Sequence, residues 1–142
     1  MTVGGTLYCI DLWVTVSKEG LKIHPELEDK PENVLSKFMS NLALEVVMGR
    51  VKPLKMLAQH AAGVVSKILE GRKLDMLFID GDHTYEGVRD NVRDFRPLIA
   101  KGGLLCGHDW NHAGWPGVVK AVIEFVPGYT VVPGTSIWMV QV

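Results

Sequence analysis

Apolar positions change their period several times along this chain, and each change predicts an element. Residues Thr6 to Val16 carry Leu7, Tyr8, Cys9, Ile10, Leu12, Trp13 and Val14, which predicts a strand interrupted near its carboxyl end by Asp11. Positions 17–30 are polar, contain Gly20 and Pro25 and show no period, so a loop is expected there. From Pro31 onward Val34, Leu35, Phe38, Met39, Leu42 and Val46 recur at helical spacing. One helix is predicted, with Pro31 in its first turn and Gly49 just past its end. A short strand follows at Val51 to Met56, then a helix from Ala58 to Leu69 stopped by Gly71. The run Leu74 to Ile79 is too short for a helix and predicts a buried strand. Thr84 opens the next helix. Its apolar stripe is Tyr85, Val88, Val92, Phe95 and Leu98, and Glu86, Arg89, Asp90, Arg93 and Asp94 face water. Gly102-Gly103 is expected to end that unit, leaving Leu104 to Gly107 as a strand and Pro116 to Val126 as a helix. Tyr129 to Val132 and Ser136 to Val142 read as closing strands around a Pro133-Gly134 turn.

Strands alternating with helices imply an α/β fold, a mostly parallel sheet with helices on both faces. The tight terminal turn adds one antiparallel strand near the carboxyl terminus. The 142 residues suit a single domain with a real core. A hydrophobic fraction of 47% and a charged fraction of 22% are ordinary for a globular protein. Net charge is −1 with the basic residues scattered, so neither nucleic acid nor an anionic membrane is an expected partner. The amino terminus lacks a signal-peptide pattern, and no apolar run approaches the roughly 20 residues of a spanning helix. Cys9 and Cys106 fall inside predicted strands. Lone buried thiols suit a reducing compartment, so a cytoplasmic location is expected, with a disulfide left open.

The chemistry gathers at two strand ends. Asp80-Gly81-Asp82-His83 follows the strand Leu74 to Ile79 directly, and His108-Asp109 follows the next strand. Neighbouring parallel strands lie about 5 Å apart, and ligands of open α/β sheets bind outside their carboxyl ends. Carboxylates placed there must be paired, hydrogen-bonded or bound to a cation to offset lost hydration. Magnesium-like ions take one or two carboxylates plus water, and an imidazole shifts preference toward zinc, iron or manganese. His83 has the chemistry of a general base near neutral pH. The plainer alternative is that Asp80 and Asp82 cap the following helix and His83 is a turn residue. Likewise, Asp109 could bond loop amides while His108 merely packs. The concentration of polar groups on adjacent strand ends favours a site. Asp11 sits where acidic residues of nucleotide-binding folds accept ribose hydroxyls, although exposed strand-end aspartates are common. Trp13, Trp110 and Trp115 either wall an aromatic pocket or pack the core; His24, His60 and His112 carry no spacing signal.

The run Leu74-Asp75-Met76-Leu77-Phe78-Ile79-Asp80-Gly81-Asp82-His83-Thr84-Tyr85-Glu86-Gly87-Val88, with Gly102-Gly103 and His108-Asp109-Trp110, resembles class I S-adenosylmethionine-dependent methyltransferases. The nearest branch is the small-molecule O-methyltransferases, catechol-type enzymes and natural-product relatives. The resemblance extends from Tyr8-Cys9-Ile10-Asp11-Leu12-Trp13 to the last strand. It implies a Rossmann-like methyltransferase sheet, methylation of a small-molecule hydroxyl, S-adenosylmethionine as donor and a divalent metal, magnesium or manganese. Asp11 then matches the ribose-binding acid, and Ala58-Gln59 the adenine contact. Asp80 matches a carboxylate shared between metal and donor site, flanked in the latter by Gly81 and Asp82. His83, with Asp80, becomes catalytic as the base for the acceptor hydroxyl. His108 and Asp109 complete the metal ligands, and His108 departs from the oxygen ligand usual in the family. The family's first strand and its Gly-rich turn find no counterpart before Tyr8. The expectation is therefore an N-terminally truncated methyltransferase-like domain over residues 1–142, first strand missing, that forms a homo-oligomer. The competing expectations are a non-catalytic or fragmentary methyltransferase-fold protein and a metal-dependent hydrolase.

Overall fold

The computed structural model describes residues 4–13 and 33–142, with the Asn33 side chain left out. The chain packs into two compact units, Met1–Leu57 and Ala58–Val142. In the first, β1 (Leu7–Asp11) pairs in parallel with β2 (Val51–Lys55), Leu7 opposite Val51 and Asp11 opposite Lys55. Strand β1 stops earlier than its apolar run predicts. The Asp11 carboxylate accepts the Trp13 N–H at 2.6 Å, and Trp13 adopts a left-handed backbone (φ 55°), which turns the chain out of the strand. The predicted positions 14–16, the loop 17–30 and Pro31 lie outside the described residues.

The expected single helix is two, α1 (Asn33–Asn41) and α2 (Ala43–Val47), broken at Leu42 (φ −116°, ψ 24°). None of α2 is buried, so no packed face holds it in line with α1. Gly49 (φ 71°) ends the segment as expected.

The second unit carries the larger sheet, ordered β3-β4-β6-β5. Helix α3 spans Ala58–Leu69, β3 Leu74–Ile79, α4 Tyr85–Phe95, β4 Ile99–Gly107, α5 Pro116–Phe125, β5 Thr130–Val131 and β6 Trp138–Gln141. Strands β3 and β4 are parallel, whereas β6 runs antiparallel to both β4 and β5. This is the predicted mostly parallel arrangement with one reversed strand near the end of the chain. The core joins Ile79, Leu105 and Trp138 of the sheet to Val88 and Val92 of α4 and to Val118, Ala121 and Val122 of α5. On the other face of β3, Met76 and Phe78 are exposed (53% and 44%).

Leu98 does not continue α4; Pro97 lacks an amide hydrogen and the chain tightens into a short 3-10 turn, Arg96–Leu98. The pair Gly102-Gly103 does not precede β4 but lies inside it, the strand beginning at Ile99. Gly102 takes a left-handed conformation (φ 83°), donates its N–H to the Val142 carbonyl at 2.6 Å and accepts the Gln141 side-chain amide at 3.0 Å. The β3–β4 register shifts between Leu74 and Met76, so the glycines accommodate a bulge rather than a stop. Cys9 and Cys106 are free thiols, both pushed above the usual thiol pKa by burial. Among the described residues no helix is long and apolar enough to cross a membrane.

Candidate active site

Strand β3 ends at Ile79 and β4 at Gly107, which are register partners, so the residues that follow emerge side by side. Asp80 and His83 come from the first end, His108 and Asp109 from the second. Thr84 opens α4 by accepting the Gly87 N–H at 3.0 Å, and this cap sets where the His83 turn begins. Asp109 (φ 60°) and Asn111 (φ 63°) are left-handed, a conformation that Asp and Asn tolerate better than other side chains.

Four side chains converge. The Nε2 of His83 lies 2.6 Å from Asp109 Oδ2 and 3.7 Å from Asp80 Oδ1. The Nδ1 of His108 lies 3.3 Å from Asp109 Oδ1 and 3.9 Å from Asp80 Oδ1. Asp109 therefore serves both histidines, one oxygen to each, and is the most enclosed of the four at 14% exposure. The neighbouring carboxylates of Asp80 and Asp109 raise the His83 pKa above its ordinary value, against an opposing effect of partial burial. The Trp115 ring stacks on the His83 imidazole with centroids 4.8 Å apart, restricting its rotation.

Asp80, His83 and Asp109 each present a donor atom, all within 4.8 Å of one another, so this donor set could hold a metal ion. The expected ligand trio was Asp80, His108 and Asp109; His83 is at least as close to the carboxylates as His108. Ligands bonded at about 2.1 Å and roughly right angles stand about 3 Å apart. The His108–Asp109 spacing of 3.3 Å fits, whereas the His108–Asp80 spacing of 3.9 Å exceeds it.

The remaining expected residues have other surroundings. Asp82 accepts the N–H of Thr84, the cap residue itself, at 2.9 Å, and Gly81 is an exposed turn residue. Ala58 and Gln59 open α3 in the second unit. Asp11 lies in the first unit, exposed, holding the Trp13 amide. Ser136 carried no sequence signal, yet its Oγ sits 2.9 Å from His108 Nε2. Its position follows from topology: β6 runs backwards, so the residues before it return to the rim where β3 and β4 end.

The fold, with polar groups gathered where parallel strands end, is Rossmann-like. The methyltransferase-domain family matches residues 2–110, and the chain belongs to it. No curated protein matches the chain by sequence. Among solved structures, the TDP-rhamnose 3'-O-methyltransferase CalS11 of calicheamicin biosynthesis is 13% identical with a TM-score of 0.62, over 96% of this chain and 58% of that one. MycE, a methyltransferase of the mycinamycin pathway in complex with Mg and SAH, is 17% identical (TM-score 0.54), over 96% of this chain and 36% of that one. A putative rRNA-methylase from Clostridium thermocellum is 13% identical (TM-score 0.61), over 96% and 72%. The chain thus spans little more than half the length of CalS11.

Proposed function

We propose that this chain catalyses S-adenosylmethionine-dependent O-methylation of a small-molecule hydroxyl, assisted by a divalent cation. The observation that carries the reading is the convergence of Asp80, His83, His108 and Asp109 at the ends of β3 and β4 in a methyltransferase-family chain. When bound, the donor supplies a methyl group on a sulfonium sulfur, and the cation lowers the acceptor hydroxyl's pKa. Asp80 Oδ1, Asp109 Oδ1 and His108 Nδ1 would hold that cation. His83 Nε2–H is donated to Asp109 Oδ2, which leaves the lone pair on Nδ1, the atom that takes the acceptor's proton. Asp109 then stabilises the imidazolium, as a carboxylate does for the base of a catalytic triad. Much of the acceleration in such a transfer comes from holding the reactants in line. Asp11 is the proposed ribose ligand and Ala58-Gln59 the adenine contact.

The test has two parts. S-adenosylhomocysteine should raise the melting temperature of the chain, and Asp11→Ala should abolish that rise. His83→Ala should abolish methyl transfer while leaving the rise intact. A chain with no response to S-adenosylhomocysteine is a non-catalytic member of the family, and unchanged turnover in His83→Ala removes that residue from the mechanism.

A further inference from the structure

His108 is the first residue after β4, and each of its polar atoms apart from Nδ1 is already engaged. Its N–H donates to the Ile79 carbonyl at 3.1 Å, and its carbonyl accepts the indole N–H of fully buried Trp138 at 3.1 Å. Its Nε2 stands 2.9 Å from the Ser136 hydroxyl. Ser136 is in turn held by its own carbonyl, which accepts the Trp110 N–H at 2.9 Å. That leaves Nδ1, which faces Asp109 Oδ1 at 3.3 Å and Asp80 Oδ1 at 3.9 Å. An imidazole held through its second nitrogen, with the first turned toward carboxylates, has the arrangement of a histidine metal ligand.

We propose that Ser136 orients His108 as a nitrogen ligand, and that the centre so formed takes a zinc-like transition ion in preference to magnesium. What the ion does in catalysis rests on the methyl-transfer reading; which ion the centre takes rests on its own donors. Magnesium favours oxygen ligands at near right angles, whereas imidazole suits zinc and its transition-metal neighbours. Adjacent ligands stand about 3 Å apart on an octahedral magnesium and about 3.4 Å apart on a tetrahedral zinc. The observed 3.3 and 3.9 Å lie toward the wider arrangement. His83 does not compete for this role. Its Nε2 is 2.6 Å from Asp109 Oδ2, the length of a short hydrogen bond and too close for two separate ligands of one ion.

The strand pairing sets this ligand in place. Because β6 runs antiparallel to β4, Gly107 pairs with Trp138, and the residues before Trp138 return beside those after Gly107. Ser136 and His108 therefore meet by register. A Cβ on Gly107 would stand 2.5 Å from the Trp138 ring, so glycine there lets the indole close on the strand end and reach the His108 carbonyl. The backbone of the ligand is thus fixed at both its N–H and its carbonyl, and the Ser136 hydroxyl fixes the ring. Losing an orienting partner of this kind weakens metal binding about 10–100-fold.

The experiment titrates the full chain, stripped of metal, with zinc and with magnesium by calorimetry, and follows the histidine ring nitrogens by NMR. Zinc should move His108 Nδ1 to the position of a ligated nitrogen and leave Nε2 protonated. His108→Asp, or the neutral His108→Asn where the first fails to fold, should lower the ratio of zinc to magnesium affinity about tenfold or more. Ser136→Ala should weaken zinc binding about tenfold or more, and Ser136→Thr, which keeps the hydroxyl, should restore it. Asp109→Asn should remove the zinc heat, which ties that heat to this centre. An unchanged affinity ratio, a His108 Nδ1 signal that zinc leaves in place, or zinc heat that survives Asp109→Asn overturns the proposal. A Ser136→Ala chain that binds zinc as the parent does overturns the role of Ser136. Melting curves with S-adenosylhomocysteine separate the two readings. A chain that takes zinc through His108 but ignores S-adenosylhomocysteine keeps the centre and loses methyl transfer; the converse result loses only the proposed centre.

Discussion

Gly117 tests whether helix α5 is what holds the His83 turn in place. It is the second residue of α5, and a Cβ built on it would stand 2.5 Å from the Tyr85 amide nitrogen, 3.0 Å from the Thr84 carbonyl carbon and 3.1 Å from the His83 carbonyl oxygen. Ordinary carbon contacts begin at about 3.5 Å, so Gly117→Ala forces a displacement of nearly an ångström. All three obstacles are backbone, which cannot swing away as a side-chain tip does. Overpacking of this kind costs about 1–3 kcal/mol, and the rigidity of the obstacle puts this case near 2 kcal/mol after the small gain in helix propensity. Gly63 is the matched control: it lies within α3, is exposed, and a Cβ there meets nothing within 4 Å. Gly63→Ala should therefore stabilise, by about 0.5–1 kcal/mol. Urea unfolding measures both changes, the Gly117→Ala midpoint falling by about 1 M for a slope near 2 kcal/mol/M. The altered turn should also move the His83 ring away from Asp109, visible as a change in its NMR titration. If Gly117→Ala is as stable as the parent and leaves that titration unchanged, the close seating of α5 against the His83 turn is wrong.

In chain stripped of divalent ions, His83 should titrate above the ordinary histidine value of about 6.5, and Asp80→Asn should lower its pKa. Because folding favours the protonated form, the stabilisation from these contacts is complete below the unfolded-state pKa and disappears as pH rises through the folded one. A His83 pKa at or below the ordinary value in the parent chain would contradict the carboxylate environment described for it. Thr84→Ala removes the hydroxyl that accepts the Gly87 N–H and should destabilise the fold by about 1 kcal/mol, whereas Thr84→Ser, which keeps the hydroxyl, should lose little or nothing. Equal urea midpoints for parent and Thr84→Ala would show the cap contributes nothing.

Much of the architecture was legible in the residue pattern. Leu74–Ile79 and Ala58–Leu69 were each predicted with the bounds they have, because period, length and flanking glycines agree there. The local signal failed where partners decide the outcome. Gly102-Gly103 looked like a terminator, since a pair of glycines usually ends an element, but the hydrogen bonds from the last strand hold it within β4. The apolar spacing from Val34 to Val46 could not show that α2 would find no burial to keep it continuous with α1.

By itself the sequence determined the alternation of strands and helices, the reversed strand near the end, and which acids and imidazoles stand at strand ends. These follow from local period and turn chemistry, which act over a few residues. Only the tertiary structure decided how those groups share work: that Asp109 faces His83 with one oxygen and His108 with the other, that Asp82 turns to the Thr84 amide, and that Ser136 reaches His108. Such choices depend on strand register and on an antiparallel return that brings residues 28 positions apart within hydrogen-bonding distance, and no local pattern carries that information.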